Sequence, residues 1–514
     1  ADLLISQGRL PEAQQVLNLL KEEEYFEFVR RDPASSPLTT RATLTAEETA
    51  LEAEYNRIAD EITLLGKERG DLLAKKERTA EEERQLNKLE EQLGVATDHF
   101  QKFLEQLQVK LGSATAEGAR VTDVKDALGM RKTLRELGGG AVLLYTLVAA
   151  DKYRVMLVTP DTEQAYENPI TAAELARKVL AFREALQNPR VDPAPLAREL
   201  YQILVGPKLA HDLKQAGAKT LMWSLDGVLR YLPVAALQDE EQKYLVESYR
   251  NVIFTPASRD RLKDQVAAHW KGLGLGVSKP KAEFGALPGV PQELRSIIRD
   301  ESASQAANTG VLAGRVLLDE NFTKEALRTA LRQHYQLVHI ASHFKFQPGG
   351  DETASYLLLG DSDERNSRLT VAEIKKIDFE GVDLLTLSAC ETAMGDTKAN
   401  GVEVESFGVL AQRQGAESVM ATLWPVADES TPLLMREFYR IRETTPGITK
   451  AEALRLAQLS LLRGEAKAGS SKTIRAEVRN IEPGKKEQSF KADSQKPYAH
   501  PYYWAPFILI GNWK

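Results

Sequence analysis

Apolar positions divide the chain into a helical N-terminal part and a C-terminal part in which short apolar runs alternate with helical stretches. Between residues 45 and 111, apolar side chains recur with the 4-3 spacing of packed helices. They are Leu51, Tyr55, Ile58, Ile62 and Leu65, then Leu86, Leu89, Leu93, Ala96, Phe100, Phe103 and Leu107. Because the phase breaks at residues 75–82, we predict an antiparallel coiled-coil hairpin at residues 41–112.

Two capping boxes support these helix starts, one formed by Thr45 and Glu48 and the other by Thr79 and Glu82. Before them, the segment QGRLPEAQQVLNLL resembles the last unit of a tetratricopeptide (TPR) array, so residues 1–40 are interpreted as the end of a helical repeat region. An isolated amphipathic helix is the alternative. Because the chain begins without methionine and in mid-pattern, we expect it to be a fragment.

The C-terminal part has the pattern of an α/β domain. Predicted strands are residues 141–148, 155–159, 221–225, 337–341 and 384–388, and predicted helices are residues 172–186, 195–215 and 323–333. Continuous apolar strands that alternate with helices indicate a buried, mostly parallel sheet flanked by helices. Functional groups gather where such strands end. His343 and Cys390 each follow the end of a predicted strand.

Composition narrows the function classes. The chain has 514 residues, 43% of them apolar and 27% charged, which favours two or three folded domains. Its net charge of −7 argues against direct nucleic-acid binding. No apolar run approaches the ~18 residues of a membrane span, and the first residues lack the order of a signal peptide, so we expect no membrane partner.

Cys390 is the single cysteine of the chain, which rules out an internal disulfide and a thiolate zinc cluster. This favours a reducing compartment, and we expect a cytoplasmic protein without cofactor or metal. A lone cysteine is commonly a small buried apolar residue. A thiol becomes a strong nucleophile when a nearby imidazole stabilises its thiolate, and His343 lies 47 residues upstream, close to a caspase-like spacing.

The residues around this pair resemble the CHAT domain, which belongs with caspases and separase in one peptidase clan. The matching segments are DGVLRYLP (226–233), VHIASH (338–343), LTLSACET (385–392), GA (415–416), ATLWPVAD (421–428), LMREFY (434–439), HPYYWAPF (500–507) and GNW (511–513). The resemblance implies a caspase-like domain at residues 141–514, with a pseudo-caspase-like half at 141–270, a catalytic half at 271–514 and a linker or helical segment at 113–140.

The resemblance also implies catalytic roles. His343 would be the general base and Cys390 the nucleophile, with an oxyanion held by the backbone N–H groups of Phe344 and Cys390. Phe344 stands where many relatives have glycine. If that position needs a positive φ, a bulky residue there would cost about 1 kcal/mol or more.

The resemblance further implies a substrate pocket with an acidic wall. Asp428 matches the acidic residue that lines the first pocket in separase-like relatives, where it would favour Arg or Lys before the scissile bond. A helix N-cap is the alternative role for Asp428. Glu391 and Glu403 are acidic alternatives for the pocket.

These residues favour a cysteine endopeptidase that makes limited cuts in a protein substrate and is regulated by a partner on the helical region. The alternatives are a catalytically silent scaffold of the same fold and acyl transfer to an amine. His339 is interpreted as a core histidine, and residues 272–276 as a strand instead of a dinucleotide loop. His500 and Tyr502 cannot be placed from sequence, and residues 464–497 are predicted to be a flexible insertion.

Overall fold

The computed structural model describes residues 1–30, 57–58, 61, 65, 68, 72, 79–89, 92, 95–96, 130–264, 266–281, 283–300, 310–345, 354–388, 402–424, 430–466 and 488–514. The chain divides into two compact units. The first comprises Ala1–Glu23, Asp32–Gly138 and Val155–Tyr166, and the second comprises Glu24–Arg31, Gly139–Arg154 and Glu167–Lys514.

The described residues of the first unit are largely helical. Helices α1 (Asp2–Ser6) and α2 (Leu10–Arg30) begin the chain, although the last residues of α2 belong to the second unit. The predicted capping box is present, because the Thr79 N–H donates to Glu82 Oε2 over 2.7 Å and the Glu82 N–H donates to Thr79 Oγ1 over 3.3 Å. Helical residues 80–89 follow it.

Apolar side chains from both predicted arms of the hairpin pack together, since Leu65 and Leu72 join Leu86 and Leu89 in one cluster. The predicted break at residues 75–82 is described only from residue 79 onward, so the hairpin and the other domain boundaries stay predictions.

Most of the described strands lie in the second unit. In chain order the strands of the molecule are β1 (Ala141–Val148), β2 (Tyr153–Val158), β3 (Glu163–Asn168), β4 (Thr220–Ser224), β5 (Arg250–Ile253), β6 (Gly272–Gly276), β7 (Ile298–Asp300), β8 (Leu312–Leu318), β9 (Leu337–Ala341), β10 (Phe344–Lys345), β11 (Tyr356–Leu358), β12 (Arg368–Thr370), β13 (Leu384–Leu387), β14 (Ser418–Thr422) and β15 (Phe507–Gly511). Of these, β2 and β3 are divided between the two units.

The main sheet of the second unit runs in the order β1-β4-β5-β15-β14-β13-β9-β6-β8-β7. Its neighbouring strands are parallel except for β14 and β15, which are antiparallel. A separate three-stranded antiparallel sheet is formed by β10, β11 and β12. The predicted α/β class, a mostly parallel sheet with a helical region before it, is confirmed.

Helices cover this sheet. They are α3 (Ala172–Gln187), α4 (Ala194–Leu204), α5 (Gly206–Gln215), α6 (Leu245–Ser248), α7 (Val290–Ile297), α8 (Lys324–Leu331), α9 (Val371–Ile374), α10 (Val402–Arg413), α11 (Ser430–Thr444) and α12 (Lys450–Leu462). Short 3₁₀ helices occupy Gly227–Tyr231, Val234–Ala236, Pro256–Arg261, Asp319–Asn321 and Pro501–Tyr503. In the described part of the chain, no helix combines the length and the apolar character needed to cross a bilayer.

The prediction of one helix over residues 195–215 is wrong. Two helices, α4 and α5, occupy this stretch, because Gly206 has φ of 61° and interrupts the helical backbone. The predicted strand at residues 272–276 is confirmed as β6. Glycine is needed there for close packing, since a Cβ on Gly276 would lie 2.5 Å from the Val290 side chain of α7.

Candidate active site

Strands β9 and β13 are parallel neighbours that lead to both predicted catalytic residues. Their register pairs Ile340 with Leu387, and the Ser388 N–H donates to the Ile340 carbonyl over 2.8 Å. In the sequence, His343 lies three residues beyond Ile340 and Cys390 lies three residues beyond Leu387. Cys390 is outside the described residues. The described strands therefore run in register toward the predicted pair.

The small antiparallel sheet fixes the backbone at His343. The Ser342 hydroxyl donates to the Leu358 carbonyl over 2.7 Å, and the Leu358 N–H donates to the His343 carbonyl over 2.8 Å. Phe344 pairs with Leu357 in β10. Among the described residues, Phe344 is not one of those with positive φ, so the strain expected from replacing glycine is absent.

The His343 ring is held by a loop that precedes α7. Its Nε2 lies 3.0 Å from the Gly285 carbonyl oxygen, which can only accept a hydrogen bond. Nε2 therefore carries a proton, which makes Nδ1 the unprotonated nitrogen whenever the ring is neutral. The Phe284 ring stacks on the imidazole with a centroid separation of 4.8 Å and an interplanar angle of 26°. Phe284 is itself buried.

Glu283 ties the same loop to the small sheet. Its Oε1 accepts from Lys345 Nζ over 2.7 Å and from the Tyr356 hydroxyl over 3.2 Å. The hydrogen bond from Lys345 holds the pKa of the Glu283 carboxyl down at about 2. Both partners of the ion pair are exposed by more than a third, so we assign it no more than about 1 kcal/mol. Phe284 also meets Tyr356 edge to face, at 6.3 Å.

Phe284 and Gly285 are site residues that sequence reasoning missed. They belong to no periodic pattern and precede His343 by more than 50 residues. The only available signal was the position of their loop, which follows β6, the strand that pairs with β9 on the side away from β13. Loops at the carboxyl ends of adjacent parallel strands converge, and this rule alone could have drawn notice to them.

The other predicted site residues are only partly described. Glu391 and Asp428, like Cys390, lie outside the described residues, and for Glu403 only its backbone in α10 is described. The pocket therefore stays a prediction. His500 is buried, and its ring bonds to the Val191 carbonyl and to its own neighbour, the Tyr502 N–H.

A buried polar network lies on the two strands that lead to His343 and Cys390. His339 places Nε2 2.8 Å from Glu293 Oε1 and Nδ1 3.0 Å from the Tyr439 hydroxyl. That hydroxyl lies 2.8 Å from Thr386 Oγ1. The interpretation of His339 as a satisfied core histidine is confirmed, because it is buried and both ring nitrogens are hydrogen-bonded.

The chain is similar in sequence to one domain family and to two tetratricopeptide repeat proteins. The family model of the CHAT domain matches residues 194–512. Tetratricopeptide repeat protein 28 of Mus musculus is 26% identical over 364 residues, and its Homo sapiens counterpart is 24% identical over 367 residues. Each alignment covers 62% of this chain but only 13% of the relative, so the chain spans a small part of those proteins.

Among solved structures, the Saccharomyces cerevisiae separase–securin complex aligns with a TM-score of 0.44 and 12% identity. That alignment covers 99% of this chain and 40% of the matched chain.

Proposed function

Because the chain belongs to the CHAT domain family, we propose that it is a cysteine endopeptidase in which His343 and Cys390 make limited cuts in a protein substrate. The register of β9 and β13 is the observation that carries the proposal. His343 and Cys390 follow the paired residues Ile340 and Leu387 by the same number of positions. Residues that leave adjacent parallel strands at the same level meet at one edge of the sheet.

The hydrogen bond from His343 to Gly285 supports the role of a base. This hydrogen bond uses the N–H on Nε2 as its donor. In the neutral ring, Nδ1 is therefore the nitrogen that can take the thiol proton. Stacking on Phe284 restricts rotation of the ring about its side-chain torsions. A base that is already oriented loses less entropy on reaching the reactive geometry.

Catalysis then follows the general cysteine-peptidase sequence. Nδ1 of His343 removes the proton of the Cys390 thiol, and the thiolate attacks the peptide carbonyl carbon. The imidazolium returns that proton to the leaving amine as the carbon–nitrogen bond breaks, which leaves a thioester. Water, deprotonated by His343, hydrolyses the thioester and regenerates the thiol.

Two further parts of the site belong to the proposal. The oxyanion of each tetrahedral intermediate would bind the N–H groups of Phe344 and Cys390. Asp428, or alternatively Glu391 or Glu403, would form an acidic wall for the substrate residue before the scissile bond. The helical region would receive the regulatory partner.

A peptide carrying an electrophilic warhead tests the proposal. We expect it to label the wild-type protein, to fail on Cys390→Ala, and to react much more slowly with His343→Ala. His211→Ala is the matched control, because His211 is an exposed histidine of α5. Equal labelling rates for wild type and His343→Ala would instead support the silent scaffold.

A further inference from the structure

We propose that Tyr439 is a positioning residue for catalysis, which sets the two strands beneath the site in their working arrangement. This inference rests on the proposed function. Tyr439 lies on α11, and its buried hydroxyl bridges β9 and β13 by reaching His339 on one strand and Thr386 on the other.

His339 and Thr386 are register partners in the parallel pair. Each lies four residues before a member of the proposed dyad, His343 on one strand and Cys390 on the other. The Tyr439 hydroxyl therefore contacts the two strands at paired positions that are equally far in sequence from His343 and Cys390. A shift of either strand against α11 would break one of the two hydrogen bonds.

When the His339 ring is neutral, the donors and acceptors of the network match in one direction. The Nε2–H of His339 donates to the Glu293 carboxylate, which leaves Nδ1 to accept from the Tyr439 hydroxyl. The Thr386 hydroxyl can then donate to the Tyr439 oxygen. Burial raises the pKa of the Tyr439 phenol, so it keeps the proton that this arrangement requires.

A network of this kind restricts movement more than apolar packing does. His339, Thr386 and Tyr439 are fully buried, and Glu293 is 5% exposed. A buried polar group that loses its partner keeps its desolvation cost, so displaced arrangements of these strands are penalised. Apolar side chains of similar size would tolerate small displacements. The network thus favours one relative position of β9, β13, α7 and α11.

The alkylation rate of Cys390 reads this effect directly, because Cys390 is the only thiol of the chain. The full chain would be treated with iodoacetamide at pH 7 as wild type, His343→Ala, Tyr439→Phe, Thr386→Val and Thr386→Ser. Tyr439→Phe keeps the ring contacts with Trp270 and Phe438 and removes only the hydroxyl. Circular dichroism would confirm that each variant is folded at the assay temperature.

We expect Tyr439→Phe and Thr386→Val to slow alkylation by about tenfold, toward the rate of His343→Ala. Thr386→Ser keeps a hydroxyl and should retain most of the wild-type rate. Tyr153→Phe is the matched control, because it removes another buried hydroxyl of the second unit, which donates to the Leu204 carbonyl. It should lower stability without changing the alkylation rate.

Two results would overturn the inference. One would reject only the positioning role of Tyr439, and the other would also reject the proposed function. If wild type reacts faster than His343→Ala while Tyr439→Phe reacts as fast as wild type, the positioning role is wrong and the dyad stands. If wild type and His343→Ala react equally fast, the proposed function fails and the positioning role fails with it.

Discussion

His343 donates its Nε2–H to the backbone carbonyl of Gly285 over 3.0 Å, across 58 residues of sequence. A backbone carbonyl accepts a hydrogen bond whatever side chain the residue carries. This contact therefore selects the ring tautomer of His343 independently of the side chain at position 285. The orientation of the ring is left to Phe284, which stacks on it. Phe284 is therefore the side chain at this site whose replacement is most informative.

Phe284→Leu should slow Cys390 alkylation by about three- to tenfold. Loss of an aromatic pair is worth about 0.5–1.5 kcal/mol beyond burial, and leucine keeps most of the apolar volume. The matched control is Phe254→Leu, which removes a buried ring that packs edge to face on Tyr145. If both variants alkylate at the wild-type rate, Phe284 does not orient the imidazole.

The proposed acidic wall at Asp428 leads to a separate prediction about specificity. Asp428→Ala should remove a preference for Arg or Lys before the scissile bond, because an unpaired buried charge costs about 3–5 kcal/mol, roughly 100-fold or more in rate. A positional peptide library run on wild type and Asp428→Ala measures it. An apolar preference that the substitution leaves unchanged would assign Asp428 to helix capping instead, at a cost of about 1 kcal/mol in stability.

His500 should make the protein sensitive to acid. Burial lowers the pKa of His500 from 6.5 to about 4, so between these values the unfolded chain binds more protons than the folded one. Folding stability is therefore lost as the pH falls from about 6.5 to 4. At pH 5 the loss is about 2 kcal/mol.

Both ring nitrogens of the buried His500 already have hydrogen-bond partners. Its Nε2–H donates to the Val191 carbonyl, and Nδ1 accepts the Tyr502 N–H, so no site is left for a second proton. Thermal unfolding at pH 7 and pH 5 would measure the effect. His500→Gln should reduce the difference between the two pH values, and the exposed control His211→Gln should retain it. An undiminished difference in His500→Gln would contradict the prediction.

Lys450 is expected to destabilise the fold near neutral pH. Burial lowers the pKa of its amine from 10.5 to about 7, against the opposing effect of Asp383. Between these values the unfolded chain again binds more protons, so the penalty is largest below about pH 7 and fades as the pH approaches 10.5. Lys450→Met should raise the unfolding temperature at pH 7, and less so at pH 9.5.

Lys208→Met is the control for this substitution, since Lys208 is an exposed lysine of α5. It should leave the unfolding temperature nearly unchanged at both pH values. A Lys450→Met variant that is less stable than wild type at pH 7 would show that the buried amine is a net stabilising group.

The local pattern of apolar and polar residues was sufficient to predict β9 and β13, the strands that lead to the candidate site. Strand β9 has the predicted bounds, and β13 ends one residue before its prediction. Each is a mostly apolar run, interrupted only by His339 in β9 and Thr386 in β13, and such a run bounded by polar residues is typical of a strand buried on both faces. The break at Gly206 was missed, because a helical periodicity continues across it and only the backbone conformation shows the interruption.

Contacts between distant segments could not be predicted in the same way. The Gly285 carbonyl and the Glu293 carboxylate reach His343 and His339 from the loop and helix after β6, and neither contact leaves a periodic trace in the sequence. Tyr439 belonged to a recognised motif, yet its role as a bridge depends on how α11 packs on the sheet. Such contacts follow from topology, which the motif alone does not specify.

Proteolysis by the proposed His343–Cys390 dyad is measured most directly by mapping the new protein termini that appear when the chain is added to other proteins. A proteome would be incubated with wild type, Cys390→Ala, His343→Ala and the double variant, and new N-termini would be quantified. We expect a small set of termini that only wild type produces, with the double variant no worse than either single variant, since the two residues act as a unit. The same termini appearing with Cys390→Ala would contradict it, because the chain contains no second thiol.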